Sequence, residues 1–246
     1  MKSTKILSIV VALALTVVMF AGTALTASNA ARVTYISGKA YKARKKTGPW
    51  ISIRRNQSVY AGYYIKTTGN AKVELTMPDK SKVRIAPGSV LYLSSARFSK
   101  GVRNYEARLE SGRVYTRARP SSNKKDRFIV RTGGAVAGIR GTSFNTILLP
   151  DGGTRVKCFE GKVWVSTWTD YARRFLSEDQ EVPTTGSLDA PVVPGPEEVT
   201  EEEWVRIAGA MMSVTVGADG NVQDPQQFAE DDSDDWEDWN KKRDGI

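Results

Sequence analysis

Short stretches of alternating apolar and polar residues, each closed by a turn signal, recur along the middle of this chain and leave it few folds to choose from. Lys72-Val73-Glu74-Leu75-Thr76, the turn Pro78-Asp79-Lys80-Ser81 and Lys82-Val83-Arg84-Ile85 form the clearest case. They predict a hairpin with Val73, Leu75, Val83 and Ile85 on one side. Ser89 to Leu93 follows a turn at Pro87-Gly88. Further strands are predicted over 106–110, 113–117, 127–131, 143–149, 154–159 and 162–167, with turns at Ser111-Gly112, Asp151-Gly152-Gly153 and Glu160-Gly161. No sustained helical period interrupts them. The expected fold is all-β: a sandwich-like body or a short solenoid of stacked β-hairpins. A short C-terminal helix and an acidic disordered tail are expected after it.

The N-terminus reads as an address. Lys2 and Lys5 precede an uncharged run that ends in Ala27-Ser28-Asn29-Ala30, the pattern of a secretory signal. We read residues 1–30 as a signal peptide cleaved after Ala30; the rival is an uncleaved membrane anchor formed by residues 6–27. Either way the remainder is exported, to the periplasm or the extracellular space. The lone cysteine, Cys158, means that no internal disulfide supports it there.

Charge divides the exported part. Residues 31–186 hold 30 Lys+Arg against 11 Asp+Glu, a net of +19, whereas residues 187–246 hold 4 against 16, a net of −12. The boundary is marked by Ala190-Pro191-Val192-Val193-Pro194-Gly195-Pro196, a stiff linker by composition. We therefore divide the chain into a β domain over 31–186, a Pro-rich linker with a short amphipathic helix over 187–226, and an acidic-aromatic tail over 227–246. Such asymmetry marks an interaction tail, a polyanion-binding body, or two parts that neutralise each other.

The same residues argue against an enzyme. Histidine is absent, which removes Ser-His-Asp and Cys-His catalysis and His-based zinc sites. Cys158 has no histidine to activate it and reads as a buried, inert thiol. Gly141-Thr142-Ser143-Phe144-Asn145 does not form a nucleophile elbow. Carboxylates in the body are scattered, and the acidic tail lacks the loop glycine and ligand spacing of an EF-hand. We expect no catalytic residue, no metal and no cofactor.

An ordered set of motifs resembles the extracytoplasmic domain of the FecR family. It runs from Val33 to Gly38 through Trp50-Ile51-Ser52-Ile53, Ala61 to Thr67 and Ala71 to Leu75. Asp79 to Ile85 with Pro87-Gly88-Ser89 is similar to the family's Asp-Gly-Ser hairpin, and Leu109 to Val114 follows. Phe128 to Thr132 leads into Ala137-Gly138-Ile139-Arg140-Gly141-Thr142-Ser143-Phe144, and Asp151 to Thr154 and Glu160 to Val163 close the series. The resemblance covers roughly residues 31–169. Lys80 stands where the family favours glycine, and Gln57 where a turn glycine is expected, so those turns are expected to differ. The resemblance implies extracytoplasmic signalling. Only five residues precede the apolar run, so the family's cytoplasmic anti-sigma segment is not expected, and the chain looks like a free-standing exported domain.

Two basic loops are candidate anion sites: Arg44, Lys45 and Lys46 in one, Lys124 and Lys125 in the other. Both have a plain alternative as solvated loops. Arg140, between Gly138 and Gly141, offers a planar fork to a carboxylate or phosphate, although glycines that permit a bend or bulge explain the motif more simply. In the tail, Thr200-Glu201-Glu202-Glu203 is a capping-box pattern, and Trp204, Ile207, Ala208 and Met211 follow at helical spacing. Beyond it, Trp236 and Trp239 are set among acids. Aromatics in acidic surroundings suit a basic groove, so Trp204, Trp236 and Trp239 are the expected tail-docking residues. The expected role is a binding or scaffold module at the bacterial envelope, its basic β surface capturing an anionic envelope polymer or its own acidic tail, in cis or on a second copy. The alternative is a signalling component that binds an envelope receptor or regulator protein. Export sets nucleic acid aside.

Overall fold

The computed structural model describes residues 30–139, 141–175, 206–229 and 232–246. The first strands are β1 (Ala30–Ser37), β2 (Ala40–Ala43), β3 (Ile51–Ser52), β4 (Ser58–Tyr60), β5 (Tyr63–Thr67) and β6 (Lys72–Thr76). There follow β7 (Lys82–Ile85), β8 (Val90–Ser99), β9 (Val102–Ser111), β10 (Arg113–Arg117), β11 (Arg127–Arg131) and β12 (Ala135–Ile139). The last are β13 (Ser143–Leu148), β14 (Thr154–Glu160), β15 (Val163–Thr167), β16 (Arg206–Ala208), β17 (Met212–Val216) and β18 (Gln226–Gln227). Helix α1 (Trp168–Phe175) follows β15, and helix α2 (Asp235–Asp244) lies near the C-terminus.

The strands form two nine-stranded sheets. The first runs β18-β17-β14-β13-β10-β7-β6-β1-β4 and the second β16-β15-β12-β11-β9-β8-β5-β2-β3. Neighbours are antiparallel except β9 and β11, which are parallel. Successive hairpins drop into one sheet or the other: β6–β7 into the first, β8–β9 and then β11–β12 into the second, and β13–β14 back into the first. The molecule is thus a sandwich built by stacking hairpins, which unites the two architectures expected for it.

The alternation sets the core. Val73 pairs with Ile85 and Leu75 with Val83, and all four are at most 1% exposed between the sheets. Leu91, Leu93, Leu109, Val130, Phe144 and Val165 meet them from the other strands. At the β6–β7 turn, Asp79 accepts the Ser81 amide at 2.9 Å and the Ser81 hydroxyl at 2.7 Å. Lys80 takes the left-handed conformation, φ 73°, that glycine would adopt at less cost. In the earlier turn the positive φ falls on Asn56 rather than on Gln57.

Several expectations are corrected. Helix α1 lies inside the stretch expected to be free of helix. It has only two turns, too few to show a period, and it starts on a local cap in which the Thr167 hydroxyl accepts the Asp170 amide at 3.0 Å. Residues 206–216, expected to contribute to an amphipathic helix, are strands β16 and β17. They complete the exposed edges of β15 and β14, and this pairing overrides the local pattern. The C-terminal helix is formed instead by Asp235–Asp244, inside the tail expected to be disordered. Gly138 makes no bend: it sits within β12, and a side chain there would collide with the Trp164 ring. The leader, the proline linker, Arg140 and Trp204 lie outside the described residues. Among the described residues no helix is long and apolar enough to cross a membrane.

Candidate functional site

The outward phase of the first sheet carries the unusual chemistry. Strand register sets Tyr35, Glu74, Arg84, Tyr115, Asn145 and Lys157 in one row across β1, β6, β7, β10, β13 and β14. Arg84, Tyr115 and Asn145 are fully buried although they point away from the core. Helix α2 is what buries them.

The helix is shaped for that seat. Asp234 caps it, its carboxylate accepting the Trp236 amide at 3.1 Å and the Glu237 amide at 3.0 Å. Acidic residues fill its first turn and Lys241, Lys242 and Arg243 its last, in keeping with the helix dipole. Gly245 ends it in the left-handed conformation.

Its carboxylates meet the row at two points. Near its start, Glu237 accepts from Lys157 at 2.6 Å and from the Asn145 amide at 3.0 Å. At its end, Asp244 pairs with the Arg84 guanidinium and with Arg117 at 3.2 Å. The Asn240 side chain also accepts from Arg84, at 3.3 Å. Outside the row, Asp234 pairs with Arg113. Between the two points Trp236, 2% exposed, stacks on Trp239 at 5.3 Å. Lys72 lies 4.8 Å over the Trp239 ring and Tyr35 packs 5.4 Å from it. Phe228, Phe159 and Tyr115 complete an aromatic cluster under Trp236.

Electrostatics hold the buried end together. Burial alone would raise the Glu74 carboxyl, but hydrogen bonds from Arg84 at 2.7 Å and Thr34 at 2.8 Å carry it below its ordinary value. Burial likewise opposes the charge on Arg84, and Asp244 and Glu74 overcome it, so the guanidinium binds its proton more tightly than usual. Asp234 is burdened by partial burial yet pulled below its ordinary value by Arg113 and by the helix amides.

The residues expected to bind anions are placed elsewhere. Lys46 is bonded to Glu110 at 2.8 Å, near the end of β9, and Arg44 lies 4.6 Å over the Tyr63 ring. Lys45 is exposed beside them. Lys124 and Lys125 are exposed in the β10–β11 loop, where Asn123 donates to the Gly101 carbonyl at the start of β9. Some eight residues of strand, about 26 Å, lie between these anchor points, so the two loops do not form one site. Arg84, Arg113, Arg117, Asn145 and Lys157 were not singled out by sequence. Their signal was the outward phase of the alternation, where an asparagine and a tyrosine share a register row with cations.

Cys158 is buried in the core and burial pushes its thiol up to about 12. No group of His, Cys, Asp or Glu suited to hold a metal occurs among them.

Residues 63–164, from β5 into β15, match the family model described as FecR protein. Two crystal structures of a protein described as a "putative anti-sigma factor from Parabacteroides distasonis ATCC 8503" are similar at 19% identity and a TM-score of 0.44. The similarity covers 67% of this chain and 59% of theirs. No curated protein matches the sequence. The family match spans 102 of the 246 residues and lies within the two sheets.

Proposed function

We propose that this chain is an exported, non-enzymatic binding module of the bacterial envelope, whose basic sheet is occupied in cis by the helix of its own acidic tail and works by exchanging that helix for an anionic partner. The observation that carries this reading is the pairing of Asp234, Glu237 and Asp244 on α2 with Arg113, Lys157, Arg84 and Arg117 on the sheet. A seam of ion pairs fixes register more than it adds net stability, because desolvation offsets much of the attraction. The Trp236 indole N–H is buried without a hydrogen-bond partner, a further cost that a competing ligand need not repeat. Export rests on the basic, apolar, small-residue leader.

The match of residues 63–164 to the FecR family supports a second reading, a signalling component whose partner is an envelope receptor or regulator protein. The two readings differ in their salt response. The test compares the full chain with a chain ending at Gln226, titrated with an anionic envelope polymer and with a peptide of residues 227–246 across a salt series. Tighter, salt-sensitive binding by the truncated chain supports exchange. Failure of the truncated chain to bind either probe overturns it and leaves the protein-partner reading.

A further inference from the structure

Beside the C-terminal end of α2 lies a cavity of about 280 Å³, lined by Lys80, Lys82, Arg117, Arg119, Arg243 and Asp244. Five cations therefore face one carboxylate, and that carboxylate is already shared by Arg84 and Arg117. The next acid, Glu74, is divided among Arg84 at 2.7 Å, Arg243 at 3.5 Å and Lys82 at 3.8 Å. With Arg84 behind the wall, six cations and two carboxylates leave a local charge of +4. Among the described residues Lys80 and Arg119 have no acidic partner.

Register makes the imbalance sharper. Lys82 and Arg117 are direct cross-strand partners on β7 and β10, a like-charge pairing that Asp244 and Glu74, each shared with other cations, answer only in part. Lys80 stands at the lip of the cavity in a left-handed conformation that disfavours lysine.

We propose that this cavity binds a phosphate group, carried as a phosphomonoester or a phosphodiester. Guanidinium forks from Arg117, Arg119 and Arg243 match the oxygen geometry of phosphate, and the two lysines supply point charge. A single carboxylate would leave most of that charge unanswered. Because Arg243 comes from α2 and Lys82 and Arg117 from the sheet, the ligand bridges the two and fastens the helix. The site stands on its own lining and does not depend on exchange of the helix.

The test is a calorimetric titration of the full chain with three probes: inorganic phosphate, a glycerol-phosphate oligomer, and phosphatidylglycerol vesicles with phosphatidylcholine vesicles as control. Two variants accompany it, Lys80→Gln with Arg119→Gln, and Lys45→Gln with Lys125→Gln, all at exposed side chains. We expect saturable, salt-sensitive binding, weakened roughly tenfold or more by the first pair and unchanged by the second. Binding of free phosphate or of the oligomer identifies a soluble or polymer source, and binding of vesicles alone, lost in the first pair, identifies a lipid headgroup. Absence of saturable binding to every probe, or equal weakening by both pairs, overturns the proposal. Helix exchange is read in the truncated chain, so the two ideas fail separately.

Discussion

Both outer faces of the sandwich are covered by a short helix, but with opposite chemistry. On the second sheet α1 continues directly from β15, and its Tyr171 is buried against Ile129 and Val136. Trp164 stacks on Tyr171 at 5.7 Å and Trp168 at 5.8 Å, with Arg127 and Arg131 paired to Glu106 at the margin. On the first sheet the covering helix comes from the far end of the chain and is held by ion pairs around a tryptophan stack. The neighbouring helix is seated by stacked aromatics with the Arg131 guanidinium 4.5 Å over the Trp168 ring, and little chain entropy separates it from its seat. The distant helix has to find one register on a wide face, and buried charge supplies that specificity at a cost in net stability. A cover of the first kind is architecture; a cover of the second kind suits the exchange proposed above.

The comparison can be broken most severely at Arg84. Replacing it by alanine strands the Glu74 and Asp244 carboxylates, and we expect a loss of about 3–5 kcal/mol in denaturant unfolding. Arg131→Ala, at the margin of the other face, costs less than about 2 kcal/mol on the same measurement. Trp236→Ala removes the buried ring from the seam and weakens α2 docking by about 3 kcal/mol, read as loss of helix protection in hydrogen exchange.

Acid separates the faces without mutation. Glu74 and Asp234 sit below their ordinary values of 4.5 and 3.8, so their contribution is fully present above those values. It is lost as pH falls through the lower, folded-state values. The α2 face therefore loosens below about pH 4, before the Trp164–Tyr171–Trp168 stack, whose carboxylates, Glu106 and Asp170, lie only at its margin; near-ultraviolet circular dichroism with hydrogen exchange resolves the order. The smallest effect is expected at the cap: Asp234→Ala lowers stability by about 1 kcal/mol in thermal unfolding and leaves α1 unaffected.

Much of the fold was legible because sandwich strands write their burial in alternate residues. Val73, Leu75, Val83 and Ile85 were assigned to one face from sequence and lie together in the core. The β8–β9 hairpin was cut short, since strands expected over 89–93 and 106–110 extend to Ser99 and back to Val102. Its turn uses Lys100 and Gly101, both at positive φ, and Lys100 gives no turn signal. Strand β12, Ala135–Ile139, was hidden by Gly138, whose missing side chain accommodates Trp164.

The candidate site was legible in one half. Trp236 and Trp239 stood out because aromatics are rare among acids. Their partners did not, because Arg84, Arg117 and Lys157 look like any solubilising strand residue until a distant helix covers them. Lysine clusters in loops drew notice instead, although clustering along the chain says little about clustering in space. Lys80, Lys82, Arg117, Arg119 and Arg243 converge from three separate stretches.

Helix α2 is proposed as an exchangeable, electrostatically held cover and α1 as a fixed one. Amide hydrogen exchange of the full chain, measured on both helices at low and at high salt, tests it most directly. Protection of residues 235–244 is expected to fall as salt rises while protection of residues 168–175 stays constant. Equal protection of the two helices, unchanged by salt, would contradict it.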